Sequence, residues 1–238
     1  MARDADLYVD QLFATAPDFG ATLLVSTMSR YVCDLNRAET DIDRLSVQGA
    51  KGEGAPHGLI WRRTSDGDPA LSGPLPTTEF ERRRDQFYRP YHETLRSLVE
   101  STRAEFGYVI VLCAHSMPSR GKPGTADAGR LRADVVPGTR GKTTAAPDVI
   151  GVSERLAAKF GWSLRHDHPY RGGFTTGYYG RPAQGYHALQ IELSRALYMD
   201  EGTLVAHERM VQAKSYCAEV VMGLGRLELP TISKKDTG

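Results

Sequence analysis

A chain of 238 residues has room for one large α/β domain or two small ones, and 40% hydrophobic with 25% charged residues is the balance of an ordinary globular protein with a sizeable core. A formal net charge of +1 gives no ground for a nucleic-acid partner or an anionic membrane surface, and no run approaches the ~18 apolar residues that a membrane span needs. Cys33, Cys113 and Cys217 form no C-x-x-C pair or disulfide framework, and the polar start MARDADLYVD is unlike a secretion signal, so a cytoplasmic protein is expected.

Residues 4–17 read as a first helix, with Leu7, Val9, Leu12 and Phe13 on its apolar face and Pro17 ending it. Ala21–Ser26 and Tyr31–Leu35 read as short strands, and residues 36–75, rich in Gly, Asp and Pro, as a long loop. Thr78-Glu79-Phe80-Glu81 has the form of a capping box, so a long helix is expected from there, kinked or split at Pro90. Tyr108–Ala114, YVIVLCA, is nearly all apolar, as a strand covered on both faces would be. After a long Gly/Pro-rich connection over 115–147 come a helix at 149–160, a strand at 162–166, a Gly-rich loop at 169–185, a strand at 186–193 and a helix at 200–222. Strands alternating with helices predict an α/β fold, a mostly parallel sheet with helices on both sides. One domain is expected over 1–222, with 223–238 as an unstructured tail.

Four places carry residue types suited to chemistry. His115 directly follows the best strand, where open α/β sheets bind ligands, so it is either a metal ligand or base, or simply a satisfied, partly buried histidine. Glu192 interrupts the apolar run Ala188–Leu193; a carboxylate there is either a structural ion-pair partner or a catalytic group. Arg30 and Asp34-Leu35-Asn36-Arg37 supply guanidinium forks suited to a carboxylate substrate, or a surface ion pair with Asp34 or Asp41. Asp6 and Asp10 share one helical face, either as a metal ligand or as a solvated helix start. His166 and His168 form an H-x-H pair that can bind metal on an extended segment.

Three segments together resemble the N-formylglutamate amidohydrolase family, zinc-dependent α/β hydrolases akin to zinc carboxypeptidases and aspartoacylase. They are SRYVCDLNR (Ser29–Arg37), AHSMPS (Ala114–Ser119) and PYRGGFTTGYYGRP with HALQIELSRALYMDE (Pro169–Glu201). The resemblance implies hydrolysis of N-formyl-L-glutamate to formate and glutamate in histidine breakdown, with Zn2+ as cofactor and a small anionic N-acyl amino acid as substrate. It casts His115 and Asp6 as zinc ligands, with Asp10 as the alternative to Asp6. Glu192 becomes the general base, Arg30 the group that polarises the scissile carbonyl, and Asn36, Arg37 and Arg181 the holders of the substrate anion. Members usually begin with a strand ending in a Pro-His-Ser-Gly-like element whose His ligates zinc; this chain starts after that point, and Cys113 stands where many members have Asp. The rival expectations are an amidohydrolase for another N-acyl amino acid and a non-catalytic remnant that binds anions without metal.

Overall fold

In the computed structural model of the chain, the apolar run at 108–114 and the alternating segment at 186–193 become neighbouring strands. β1 (Val109–Met117) pairs in parallel with β3 (Tyr186–Ser194), in a register that sets His115 opposite Glu192 and Cys113 opposite Gln190. A third strand, β2 (Val135–Gly138), joins the other edge of β3 antiparallel, giving the order β1-β3-β2 among the described residues, 2–231. The fold is therefore α/β with a mixed sheet. β2 lies inside the stretch expected to be loop; its Pro137 and Gly138 hide it from a propensity reading, but an edge strand tolerates proline because one side needs no donor.

One face of the sheet packs on α1 (Val9–Leu12), α4 (Pro147–Phe160) and α6 (Met210–Gly225) through Leu189, Ile191 and Leu193, each at most 1% exposed. Each such side chain removed from water contributes about 1.5–3 kcal/mol. α4 has the expected punctuation, proline at its first position and Gly161 in the left-handed region at its end. The opposite face receives α5 (Phe174–Tyr179), so helices flank the sheet on both sides.

This sheet belongs to one of two compact units into which the chain divides: residues 6–24 with 99–231, and residues 2–5 with Val25–Leu98. The smaller unit contains α2 (Thr77–Arg83), the first part of α3 (Arg89–Phe106), and a loop-rich region around the buried residues Cys33, Val47, Leu59, Ile60, Phe80 and Tyr88. The expected capping box does not form: α2 starts one residue early behind Pro76, Thr77 Oγ1 donates to the Gln48 carbonyl, and Glu79 turns to Arg82 and Arg83. The break expected at Pro90 is a π-helical turn over Arg84–Tyr88, directly before Pro90, and α2, this turn and α3 follow one another without a stop.

Other elements differ from expectation for local reasons. The first helix shrinks to the single turn of α1 between short 3-10 turns, because Tyr8 is left-handed (φ 64) and Gly20 likewise (φ 80); its apolar face still packs into the core. Residues 21–26 and 31–35 form no strand, and 162–166 contributes one bridge, Leu164 to Val135. The last helix starts ten residues late. Asp200 accepts the N–H groups of Gly202 (3.0 Å) and Thr203 (2.7 Å) in a turn that competes with helix. It also runs on to Gly225, and Leu227 and Leu229 pack into the core, so the expected tail begins later than 223; its residues 232–238 lie outside the described residues.

Candidate active site

In the sheet-bearing unit, strand period places Cys113, His115, Gln190 and Glu192 on one face, away from the apolar core. His115 lies within β1 rather than after it. Its Nδ1 is 3.1 Å from Asp6 Oδ2, and the other Asp6 oxygen accepts the Ser116 N–H at 2.9 Å. One carboxylate thus fixes both the imidazole and the strand end. Arg195, buried just past β3, donates from Nε to Ser116 Oγ at 3.3 Å.

Glu192 is 6% exposed. A buried carboxylate needs partners, and Gln190 supplies one: its Nε2 donates to Glu192 Oε1 at 2.9 Å. Gln190 Oε1 in turn accepts the Gly173 N–H at 2.9 Å and the Thr176 hydroxyl at 3.3 Å. The loop reaches the strand this closely because Gly172 adopts φ 99 and Gly138 has no side chain; a Cβ there would stand 2.7 Å from the Gly172 nitrogen. Burial raises the Tyr170 phenol above its ordinary range, and the negative charge of Glu192 adds to that rise. The Arg132 guanidinium sits 5.3 Å from the Tyr170 ring and is itself fixed by Asp127 at 2.7 Å, an ion pair that holds the Asp127 carboxyl far below its usual range. Burial pushes the Cys113 thiol up to about 11, with a hydrogen bond to Thr176 opposing, so it is no nucleophile at neutral pH.

In the smaller unit, the Asp34–Arg37 segment is fastened by its own side chains. Asp34 is 4% exposed and accepts the Asn36 N–H (2.9 Å) and the Trp61 indole N–H (2.9 Å). Arg37 donates from Nε to the His57 carbonyl (2.6 Å) and from Nη1 to the Asn36 carbonyl (2.9 Å), and approaches Asp34 at 3.9 Å. Tyr88 and His92 brace the segment through the carbonyls of Arg37 (2.9 Å) and Leu35 (3.0 Å). Arg30 lies with its guanidinium carbon 5.1 Å from the Trp61 ring centre. Arg30, Asn36 and Arg37 therefore belong to one neighbourhood built around Asp34 and Trp61. The ion pair of Arg37 with Asp34 is one of the sequence alternatives.

The remaining candidates lie apart from this cluster. Arg181 is exposed and stacks 4.4 Å from the ring of Tyr186, the first residue of β3, while Glu192 lies about 20 Å further along at ~3.3 Å per residue. It is not part of the Glu192 cluster. Asp10 is exposed, so the carboxylate beside His115 is that of Asp6. The His166–His168 pair makes no metal site: the chain turns at Asp167 (φ 56), and His166 Nε2 is bound to Glu154 at 2.7 Å. Gln190, Thr176, Arg132 and Arg195 were missed; for Gln190 the signal was present, since strand period puts it on the same face as Glu192.

Zinc takes imidazole and carboxylate donors, and catalytic sites usually supply three protein ligands. His115 and Asp6 are of the right kinds and stand together, but among the described residues no group of three or more His, Cys, Asp or Glu is gathered. The pair fits as part of a zinc donor set. No helix among the described residues is long and apolar enough to cross a membrane.

Comparison with known proteins gives concordant matches. Residues 1–199 match the model of a family described as N-formylglutamate amidohydrolase. The N-formylglutamate deformylase of Pseudomonas putida is 35% identical over 204 residues, covering 83% of this chain and 72% of that protein. The N-formylglutamate deformylase of Pseudomonas aeruginosa is 36% identical over 202 residues with the same coverage. The crystal structure of N-formylglutamate amidohydrolase from Ralstonia eutropha JMP134 superposes with a TM-score of 0.84 at 32% identity, over 94% of this chain and 83% of that one. A gene product of Agrobacterium tumefaciens, 20% identical with a TM-score of 0.62 over 92% of this chain and 76% of that one, shares the fold.

Proposed function

Because this chain belongs to the N-formylglutamate amidohydrolase family, we propose that it hydrolyses N-formyl-L-glutamate to formate and L-glutamate. The observation that carries this reading is the buried carboxylate of Glu192, held by an amide and set opposite the Asp6-oriented His115 on adjacent strands. Water attacks the formyl carbon; Glu192 takes a proton from that water and delivers it to the departing amide nitrogen, so that the C–N bond breaks and formate and the free amine result. Arg30 is assigned to the carbonyl oxygen, where a guanidinium offsets the negative charge that develops. Asn36 and Arg37 are assigned to a substrate carboxylate, converting binding into orientation. His115 and Asp6 are proposed as zinc ligands; when bound, the ion supplies Lewis acidity that makes water acidic enough to ionise near neutral pH. The cytoplasm is the proposed compartment, in keeping with three unpaired, buried thiols.

The test is direct. The purified chain, given N-formyl-L-glutamate, should release formate and L-glutamate in equal amounts. A strong chelator should stop it and zinc should restore it. Cleavage of another N-acyl amino acid, with none of this substrate, would reassign the substrate, and turnover untouched by chelation would remove zinc.

A further inference from the structure

We infer that Gln190 is the positioning residue of Glu192, and that it also carries the α5 loop's hold on the base; this rests on the reading of Glu192 as the proton acceptor. The orientation of the Gln190 amide is not a free choice. The Gly173 backbone N–H can only donate, so the amide oxygen must face it, at 2.9 Å. The NH2 group is then compelled to face Glu192 Oε1, also at 2.9 Å, and a carboxylate is the acceptor such a group requires. Thr176, fully buried, adds its hydroxyl to the same amide oxygen at 3.3 Å. The arrangement is a relay from Gly173 N–H through a side-chain amide to one carboxylate oxygen. Gln190 is itself 3% exposed, so water has little access to replace either bond. One oxygen and the rotamer of Glu192 are fixed before substrate arrives, as a base that must meet a water at hydrogen-bond distance requires.

The bland alternative is that Gln190 merely staples the loop to the strand, as any satisfied buried amide would. A double-mutant cycle separates the two. Gln190→Met, similar in length but without donor or acceptor, should lower kcat roughly 10- to 100-fold with KM changed less than about twofold, the pattern of a lost transition-state contribution. In the Glu192→Ala background the same change should cost almost nothing further in kcat, because the group it positions is gone. Should Gln190→Met fail to fold, Gln190→Asn serves: it keeps an amide but is one methylene too short to span Gly173 and Glu192 together. Additive losses, with the wild-type chain active on N-formyl-L-glutamate, would reduce Gln190 to a structural staple and leave the proposed function standing. A wild-type chain that releases no formate, or a Glu192→Ala variant that keeps its activity, would overturn the reading of the site and the role of Gln190 with it.

Discussion

The Asp34–Arg37 segment and the His115–Glu192 pair are held in place by different means. The first lies in loops, and its geometry comes from side chains bonding the backbone: Asp34 to the Asn36 N–H, Arg37 to two carbonyls, Tyr88 and His92 to two more. The second lies on paired strands, where register alone places Glu192 opposite His115 and only the final aim is left to Asp6 and Gln190. Strand pairing positions groups through many backbone bonds, so removing one side chain leaves the frame intact. A loop held by side chains has no such reserve. Substitutions in the sheet should therefore change chemistry without changing structure, and substitutions in the loop should change both.

The largest effect is expected at Glu192. Glu192→Gln keeps the shape and can still accept from Gln190, while ending proton transfer. It should lower kcat by roughly 10²–10⁴, the usual worth of a positioned acid–base group. Because the ladder is untouched, the melting temperature should stay close to wild type. Half-maximal activity in this variant would take Glu192 out of the mechanism; a large fall in melting temperature would show that sheet and chemistry are not separable.

Arg37 gives the contrasting case. Arg37→Lys retains the charge but cannot make both the Nε bond to the His57 carbonyl and the Nη1 bond to the Asn36 carbonyl. A loss in kcat/KM worth about 1.5–3 kcal/mol is expected, the range for charge-assisted hydrogen bonds. A substrate analogue with its carboxylate replaced by a neutral amide decides what was lost. A much smaller loss for the analogue places the guanidinium on the carboxylate, whereas equal losses would make Arg37 a brace of the loop and nothing more.

The same contrast explains what could be read from the residues. β1 was legible because YVIVLCA is nearly all apolar, as a strand covered on both faces must be, and β3 because residues 186–193 alternate with the period of a strand. Glu192 and His115 stood out as polar breaks in those runs. β2 was not legible, because Pro137 and Gly138 suppress the pattern that an edge strand does not need. The surroundings of Arg181 were not legible, because closeness in sequence to a strand says nothing about which end of it a side chain reaches; it stacks on the ring of Tyr186, at the start of β3. In the loop around Asp34–Arg37 no periodicity exists to read, so the residues were visible as types while their partners, His57 and Trp61 above all, lie twenty or more positions away and form no local pattern. The division into two units was equally hidden, since it falls inside α3, whose apolar stripe is continuous.

The smallest expected effect is a pH dependence of stability, for which each unit holds one buried histidine. His92 in the loop-rich unit and His187 on β3 are both held below their ordinary value of 6.5, in each case chiefly by burial. Their hydrogen bonds assign the neutral tautomers. The Leu35 carbonyl can only accept, so His92 carries its proton on Nε2; the Ala146 N–H can only donate, so His187 presents a bare Nδ1. Well above pH 6.5 both rings are neutral, folded or unfolded, and contribute no pH dependence. As pH falls through that value the unfolded chain binds protons that the folded chain refuses, so unfolding becomes easier toward acid. Urea midpoints at pH 7.5 and pH 5.5, chosen to bracket a reference histidine at about 6.5, should differ in that direction. His92→Gln keeps a donor in the place of Nε2, and His187→Asn keeps an acceptor in the place of Nδ1; each should flatten the acid decline by its own share. If neither variant alters the slope between the two pH values, the two rings are no part of the acid sensitivity; a carboxylate such as Asp127, held far below its usual range by Arg132, loses its ion pair only in stronger acid and is silent in this window.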